Sequence, residues 1–261
     1  MRQRANREIN VITMSALDLF ASAMGAFMII ALTLSPEPTP PAPPDPAPKP
    51  EQAIELAPID LVFMIDTSGS MGRGIDQFRG GLLGIVSVLR ELAPSVRIGI
   101  VAYKGPLSDG SNRYDVLTRP LADVSGSGLD ALKQWADARL EPSGGGDEVV
   151  LQAMQTAVAM DWNGDAANII VMVADEPGLE DTKPAIDRLV SGFRARSPLH
   201  RVSGYESPAG EIDPQYQAYM QMQREAARRW MRDFARLGEG IFVEPSEGDL
   251  SSTTLLTVLL N

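Results

Sequence analysis

Cysteine is absent from this 261-residue chain, and histidine occurs once, as His200. The first absence excludes disulfide frameworks, thiolate zinc sites and cysteine nucleophiles. The second excludes a His-rich metal site and argues against a Ser-His-Asp hydrolase. Positive charge is scarce as well: 23 Lys and Arg stand against 34 Asp and Glu, a net charge of −11. Broad nucleic-acid binding depends on dense Lys and Arg, so that class is excluded too. The chain carries no nucleophile–base pair, Walker loop or dinucleotide fingerprint, and enzyme activity is not expected of it. What remains is carboxylate and hydroxyl chemistry with hard cations, or binding alone. The length suits one or two domains, and 44% hydrophobic residues suffice for a core.

The charge is unevenly placed. Residues 1–50 hold Arg2, Arg4, Arg7 and Lys49 against Glu8, Asp18, Glu37 and Asp45, so the entire excess of negative charge falls in 51–261. Residues 1–10 form a polar, Arg-bearing tail. In 11–34 only Thr13, Ser15, Asp18, Ser22, Gly25 and Thr33 are not apolar. As a helix this stretch reaches ~36 Å, enough to span a ~30 Å hydrocarbon core with some tilt. The flanking arginines place the N-terminus in the cytoplasm. The stretch is too long for a signal-peptide core and lacks a small-x-small cleavage site, so an uncleaved single-pass anchor is expected. Residues 36–50 then carry nine of the twenty prolines. Such a run forms neither helix nor sheet, and the linker 35–56 reads as a stiff polyproline II tether at ~3.1 Å per residue.

Asp18 lies ~10 Å into the expected membrane helix, where an ionised carboxylate costs ~2.5–3.5 kcal/mol. It is either a polar residue tolerated near the interface or a group that carries an ion along a protein-lined path. Ser15, Asp18, Ser22, Gly25 and Ile29 recur at spacings of three and four, which puts them on one small, polar face. A face of that kind suits close packing inside other helices. The stretch around Asp18 resembles the single transmembrane helix of MotB/ExbD/TolR-type ion-motor subunits, including those of Zorya-like anti-phage defence systems. The resemblance implies that Asp18 binds the translocated proton or ion, flanked by Ser15 and Ser22. It further implies a helix dimer held within a ring of a multi-span MotA/ExbB-like partner.

Residues 57–66 read as a buried strand ending in Asp66, followed by an Asp-x-Ser-x-Ser turn with Ser68 and Ser70. One carboxylate and two hydroxyls meet there as hard oxygen donors suited to Mg²⁺. Taken alone, the turn also fits a helix N-cap. Two more segments follow in order: a Gly-Gly-Gly-Asp loop ending in Asp147, and a second apolar strand, 169–174, ending in Asp175. Together they resemble the von Willebrand factor A (VWA) domain over about 57–261. The resemblance implies an α/β, doubly wound, mostly parallel sheet. It also implies a metal-ion-dependent adhesion site built from Asp66, Ser68, Ser70 and Asp175, with Asp147 where the family usually has Thr.

The remaining pattern reads as scaffold. Helices are expected over 75–92, 129–140, 148–160, 182–195, 216–237 and 250–259, strands at 96–103 and 240–244, and an antiparallel edge at 114–121. Residues 199–204 read as a short strand, and 197–214 as a family-specific insertion. His200 is expected at the surface, and Arg224, Arg228, Arg229, Arg232 and Arg236 on the solvated face of a helix. Glu148 and Glu176 are expected behind the metal ligands or in solvent, and Trp135, Trp162 and Trp230 in partial core positions. The combined expectation is an inner-membrane motor subunit with an extracytoplasmic VWA domain that binds a protein or cell-envelope ligand through Mg²⁺ or another divalent cation. The alternative is a membrane-anchored VWA adhesion protein with an inert anchor. A third is a scaffold that presents partners to an AAA-type ATPase.

Overall fold

Every residue of β1 (Ile59–Asp66) is buried. Leu61, Phe63 and Ile65 point to one side of the sheet, Val62 and Met64 to the other. A strand apolar on both sides needs cover on both, and that requirement organises the domain. In this computed structural model the described residues are 57–107, 110, 113–144, 149–208 and 214–244. They belong to a unit Ile54–Asn261, distinct from a unit Met1–Ala53. Asp18, Ser15 and Ser22 with their apolar stretch, the Pro-rich run, Asp147, Glu148 and the helix expected at 250–259 lie outside the described residues. Among the described residues, no helix is long and apolar enough to cross a membrane.

Five further strands follow β1: β2 (Val96–Tyr103), β3 (Val116–Asp123), β4 (Ala167–Ala174), β5 (Arg201–Glu206) and β6 (Glu239–Val243). Their order is β3-β2-β1-β4-β5-β6, parallel throughout except for the antiparallel pair β2/β3. Helices α1 (Gly72–Leu92) and α2 (Ser127–Arg139) cover one face. Helices α3 (Val150–Val158), α4 (Lys183–Arg194) and α5 (Gln217–Leu237) cover the other. The expected α/β class with a mostly parallel sheet is what the chain forms. From β1 the chain runs outward to β2 and β3, then returns to β4 on the other side of β1. The carboxyl ends of β1 and β4 therefore flank a topological switch point, where open α/β sheets bind ligands.

The edge strand β3 accommodates Pro120, which cannot donate to a ladder. Register shifts beside it, between Ile98 and Ile100 of β2, and Arg119 Nη1 donates to the Ile98 carbonyl at 2.7 Å.

The short strand expected at 199–204 forms as β5 and pairs in parallel with both β4 and β6, so part of the stretch 197–214 is built into the sheet. One expectation needs correction. His200 is not at the surface but 5% exposed, stacked on Phe193 with ring centroids 4.6 Å apart. Its Nε2 accepts from Asn168 Nδ2 at 2.8 Å, and its Nδ1 donates to the Phe193 carbonyl at 2.8 Å. The imidazole is thus a fixed brace between α4 and β4. Trp230, expected in a partial core position, is a core residue, 2% exposed, and donates to Glu180 Oε1 at 2.8 Å.

At the opposite end of the sheet from the switch point, buried Asp60 accepts from Arg97 Nε at 2.8 Å and from the Asn163 backbone N–H at 2.7 Å. Removing one partner of such a pair strands the others. Asp60→Ala is expected to cost about 3 kcal/mol in urea unfolding, near the lower bound for a broken buried pair because Arg97 reaches solvent. A loss under about 0.5 kcal/mol, the size of a surface change, would show that the pair does not hold this edge.

Candidate metal centre

The turn after β1 is built by backbone and side-chain bonds that leave two hydroxyls facing a carboxylate. Thr67 fastens the strand exit: its N–H and Oγ1 both donate to the Tyr103 carbonyl of β2, at 2.7 and 2.9 Å. The Ser68 N–H donates to Asp66 Oδ1 at 2.7 Å, which curls the chain back over its own carboxylate. Ser68 Oγ and Ser70 Oγ then stand 3.1 Å apart. Asp175 follows directly on β4, and Ser70 Oγ donates to its Oδ1 at 3.1 Å. Neither Ser68 nor Met71 makes a side-chain cap to the helical segments that start here. The hydroxyls therefore do not serve as N-caps.

Of the sequence-predicted set, Asp66, Ser68, Ser70 and Asp175 come together at the switch point. The lead-in to Asp147 is also in place. The Ser143 N–H donates to the Thr67 carbonyl at 3.0 Å, and a Cβ on Gly69 would sit 3.3 Å from the Gly144 carbonyl oxygen. The start of the glycine loop, 143–144, thus lies against the serine turn.

Both carboxylates on the β4 side are pushed toward neutrality. Burial raises Asp175 to about 6, with Glu206 adding to the rise while the Ser70 hydroxyl and the Arg224 charge oppose it. Burial, and next the Asp175 charge, raise Glu176 to about 7. Glu176 is half-buried next to Asp175, in keeping with the expected place behind the ligands. In both acids burial is the main cause, because it disfavours the charged form.

The arginine run on α5 also departs from expectation. Arg228 clamps the fully buried Glu206, the last residue of β5, through Nε at 2.8 Å and Nη2 at 2.9 Å. Arg224 Nη2 lies 3.1 Å from the same carboxylate and donates to the Ser207 carbonyl at 2.7 Å. Arg229, Arg232 and Arg236 do face solvent, the last two paired with Glu244 and Asp233. Glu206 is not singled out by the sequence pattern. The signal that could have found it is two arginines four apart on a helix that follows a strand ending in an acid.

The donors fit a small hard cation: two carboxylates and two hydroxyls, all oxygen, on the rims of two rigid strands. Among the described residues there is no cluster of three or more His, Cys, Asp or Glu that could hold a metal, so a cation here depends on the two hydroxyls as well as the two aspartates. A polar hollow of about 260 Å³ lined by Arg90, Pro94, Asp123 and Ser125 lies at the amino end of β2, away from this chemistry.

Comparison with known proteins agrees with the geometry. A family model described as the von Willebrand factor type A domain matches residues 60–196. No curated protein matches the chain. Among solved structures, the pilus adhesin SpaC from Lactobacillus rhamnosus GG is similar at 15% identity and a TM-score of 0.54, over 80% of this chain and 30% of that one. Its open conformation gives 16% identity and a TM-score of 0.53 over the same shares. The conserved hypothetical protein BatB from Bacteroides thetaiotaomicron aligns at 12% identity and a TM-score of 0.49, over 78% of this chain and all of that one. This chain spans under a third of the adhesin's length, and the likeness is one of fold.

The raised acids predict a pH dependence. Asp175 and Glu176 bind protons more tightly folded than unfolded, where they titrate near 3.8 and 4.5. Their stabilising contribution is complete below about pH 4 and is lost as pH rises toward 7. In metal-free buffer, Asp175→Asn is therefore expected to gain stability relative to wild type between pH 5 and 7.5, read from paired thermal melts. A difference that stays constant across that range would show that the Asp175 carboxylate is not held above its ordinary value.

Proposed function

The chain belongs to the von Willebrand factor type A family, and on that basis we propose that it is a metal-dependent binding module rather than an enzyme. Asp66, Ser68, Ser70 and Asp175 hold Mg²⁺ or a similar divalent cation, with Asp147 joining them from the glycine loop. When bound, the cation supplies an open coordination position that a carboxylate of the target fills. The residues of the chain hold that position still: β1 and β4 fix the two aspartates, and the Ser68 N–H bond to Asp66 aims the serine hydroxyls. One observation carries this reading, the hydrogen-bonded sequence Ser68–Ser70–Asp175 at the carboxyl ends of two adjacent central strands.

The N-terminal residues supply the second half of the proposal. An apolar stretch with one aspartate on a small, polar face supports a single-pass inner-membrane segment in which Asp18, beside Ser15 and Ser22, takes up and releases a proton or ion. A dimer of this segment sits within a multi-span MotA/ExbB-like ring, and the Pro-rich tether carries motion to the VWA domain in the periplasm. The target is an extracytoplasmic protein or cell-envelope ligand.

Two experiments separate the halves. Mg²⁺ is expected to raise the melting temperature of the full chain, and Ser68→Ala with Ser70→Ala to abolish that rise; persistence of the rise places the metal elsewhere. Asp18→Asn in the assembled membrane complex is expected to stop ion-coupled activity while leaving Mg²⁺ binding intact. Undiminished activity would reduce the N-terminal segment to an inert anchor on an adhesion or binding protein.

A further inference from the structure

Lys104 is the first residue after β2 and is 1% exposed. Burying an ammonium group costs several kcal/mol unless it is well paired, so a lysine here demands a reason that an apolar side chain of the same length would not. Its described partners all belong to the frame around the serine turn. Nζ donates to Ser143 Oγ at 2.5 Å and to the Glu141 carbonyl at 3.2 Å. It stands 4.2 Å over the ring of Tyr114. The Tyr114 hydroxyl is 3.1 Å from Thr67 Oγ1, and the Thr67 carbonyl accepts the Ser143 N–H. Lys104, Tyr114, Thr67 and Ser143 thus form a closed knot. Thr67 is the neighbour of Asp66, and Ser143 opens the glycine loop that packs on Gly69 between the two serines.

We propose that Lys104 is a positioning residue: it latches residues 141–144 over the Asp66–Ser70 turn and thereby sets the divalent-cation affinity of the site. The inference rests on the metal reading given above. Lys104 acts through the loop, whose Gly144 carbonyl abuts the serine turn and whose continuation carries Asp147. Side chains that orient a metal site from behind its ligands change affinity ten- to a hundredfold when removed. The described polar partners of Lys104 sit on the exposed residues Glu141 and Ser143, where water can take its place, so removing the ammonium strands no buried charge and leaves the fold about as stable. A loss of affinity without a loss of stability distinguishes a latch from a simple structural role.

The test uses the full chain in detergent, with Mg²⁺ as the probe in titration calorimetry and amide hydrogen exchange measured in EDTA. Lys104→Met is expected to weaken Mg²⁺ binding about tenfold or more. Its melting temperature in EDTA should be unchanged or raised, and exchange across 141–144 should quicken. Ser143→Ala keeps the charge and removes only the hydroxyl partner; it is expected to shift affinity and exchange in the same direction, and it decides the matter if Lys104→Met does not fold. Mg²⁺ affinity within about twofold of wild type, or unchanged exchange at 141–144, overturns the latch while leaving the metal site standing. Failure of the wild-type chain to bind Mg²⁺ overturns the metal reading itself, and the affinity claim with it.

Discussion

The domain is organised around carboxylates buried together at one point. Two adjacent central strands, β1 and β4, lead into buried aspartates, and a serine hydroxyl bridges the turn after one to the carboxylate after the other. Each strand is held rigidly by apolar packing on both faces, so the carboxylates cannot withdraw into solvent without dismantling the sheet. The acids respond by retaining protons: Asp175 and Glu176 are both raised. A divalent cation would relieve the same constraint by replacing those protons, which is the physical ground of the proposed metal site.

Around this point the chain arranges its charges in layers. On the β5 side, Glu206 is paired with Arg224 and Arg228 at hydrogen-bonding distance. On the β2 side, the Lys104 ammonium is committed to the loop over the turn. Each of these charges has a partner beside the site, and Arg224 also acts on Asp175.

Much of this is legible in the sequence. A continuous apolar run ending in Asp66, the Asp-x-Ser-x-Ser turn and the second run ending in Asp175 are enough to place the four donors at strand ends. Helix and strand bounds on the apolar elements lie within a few residues of those found: α5 spans Gln217–Leu237 against an expected 216–237. The features that periodicity misses share one cause. The strand expected at 199–204 forms, but the pattern does not show that its polar residues are buried: Glu206 and Ser203 meet partners on α5 and β6 that lie far along the chain. His200 is buried for the same reason, its imidazole satisfied by Asn168, 32 residues earlier. Polar residues whose partners are remote cannot be told from solvated ones by periodicity, since the pattern records only what is apolar. The same limit hides Lys104, whose burial depends on Ser143, 39 residues further along the chain.

The central claim is that the turn after β1 and the end of β4 jointly hold a divalent cation. Crystals of the chain grown with Mn²⁺ and measured at its absorption edge test this most directly. The account predicts an anomalous peak within about 2.3 Å of Ser68 Oγ and Ser70 Oγ and beside Asp66 and Asp175, with at least one coordination position left to water or to a carboxylate. No peak there at saturating Mn²⁺, or a peak at another part of the domain with these four side chains unligated, would contradict it.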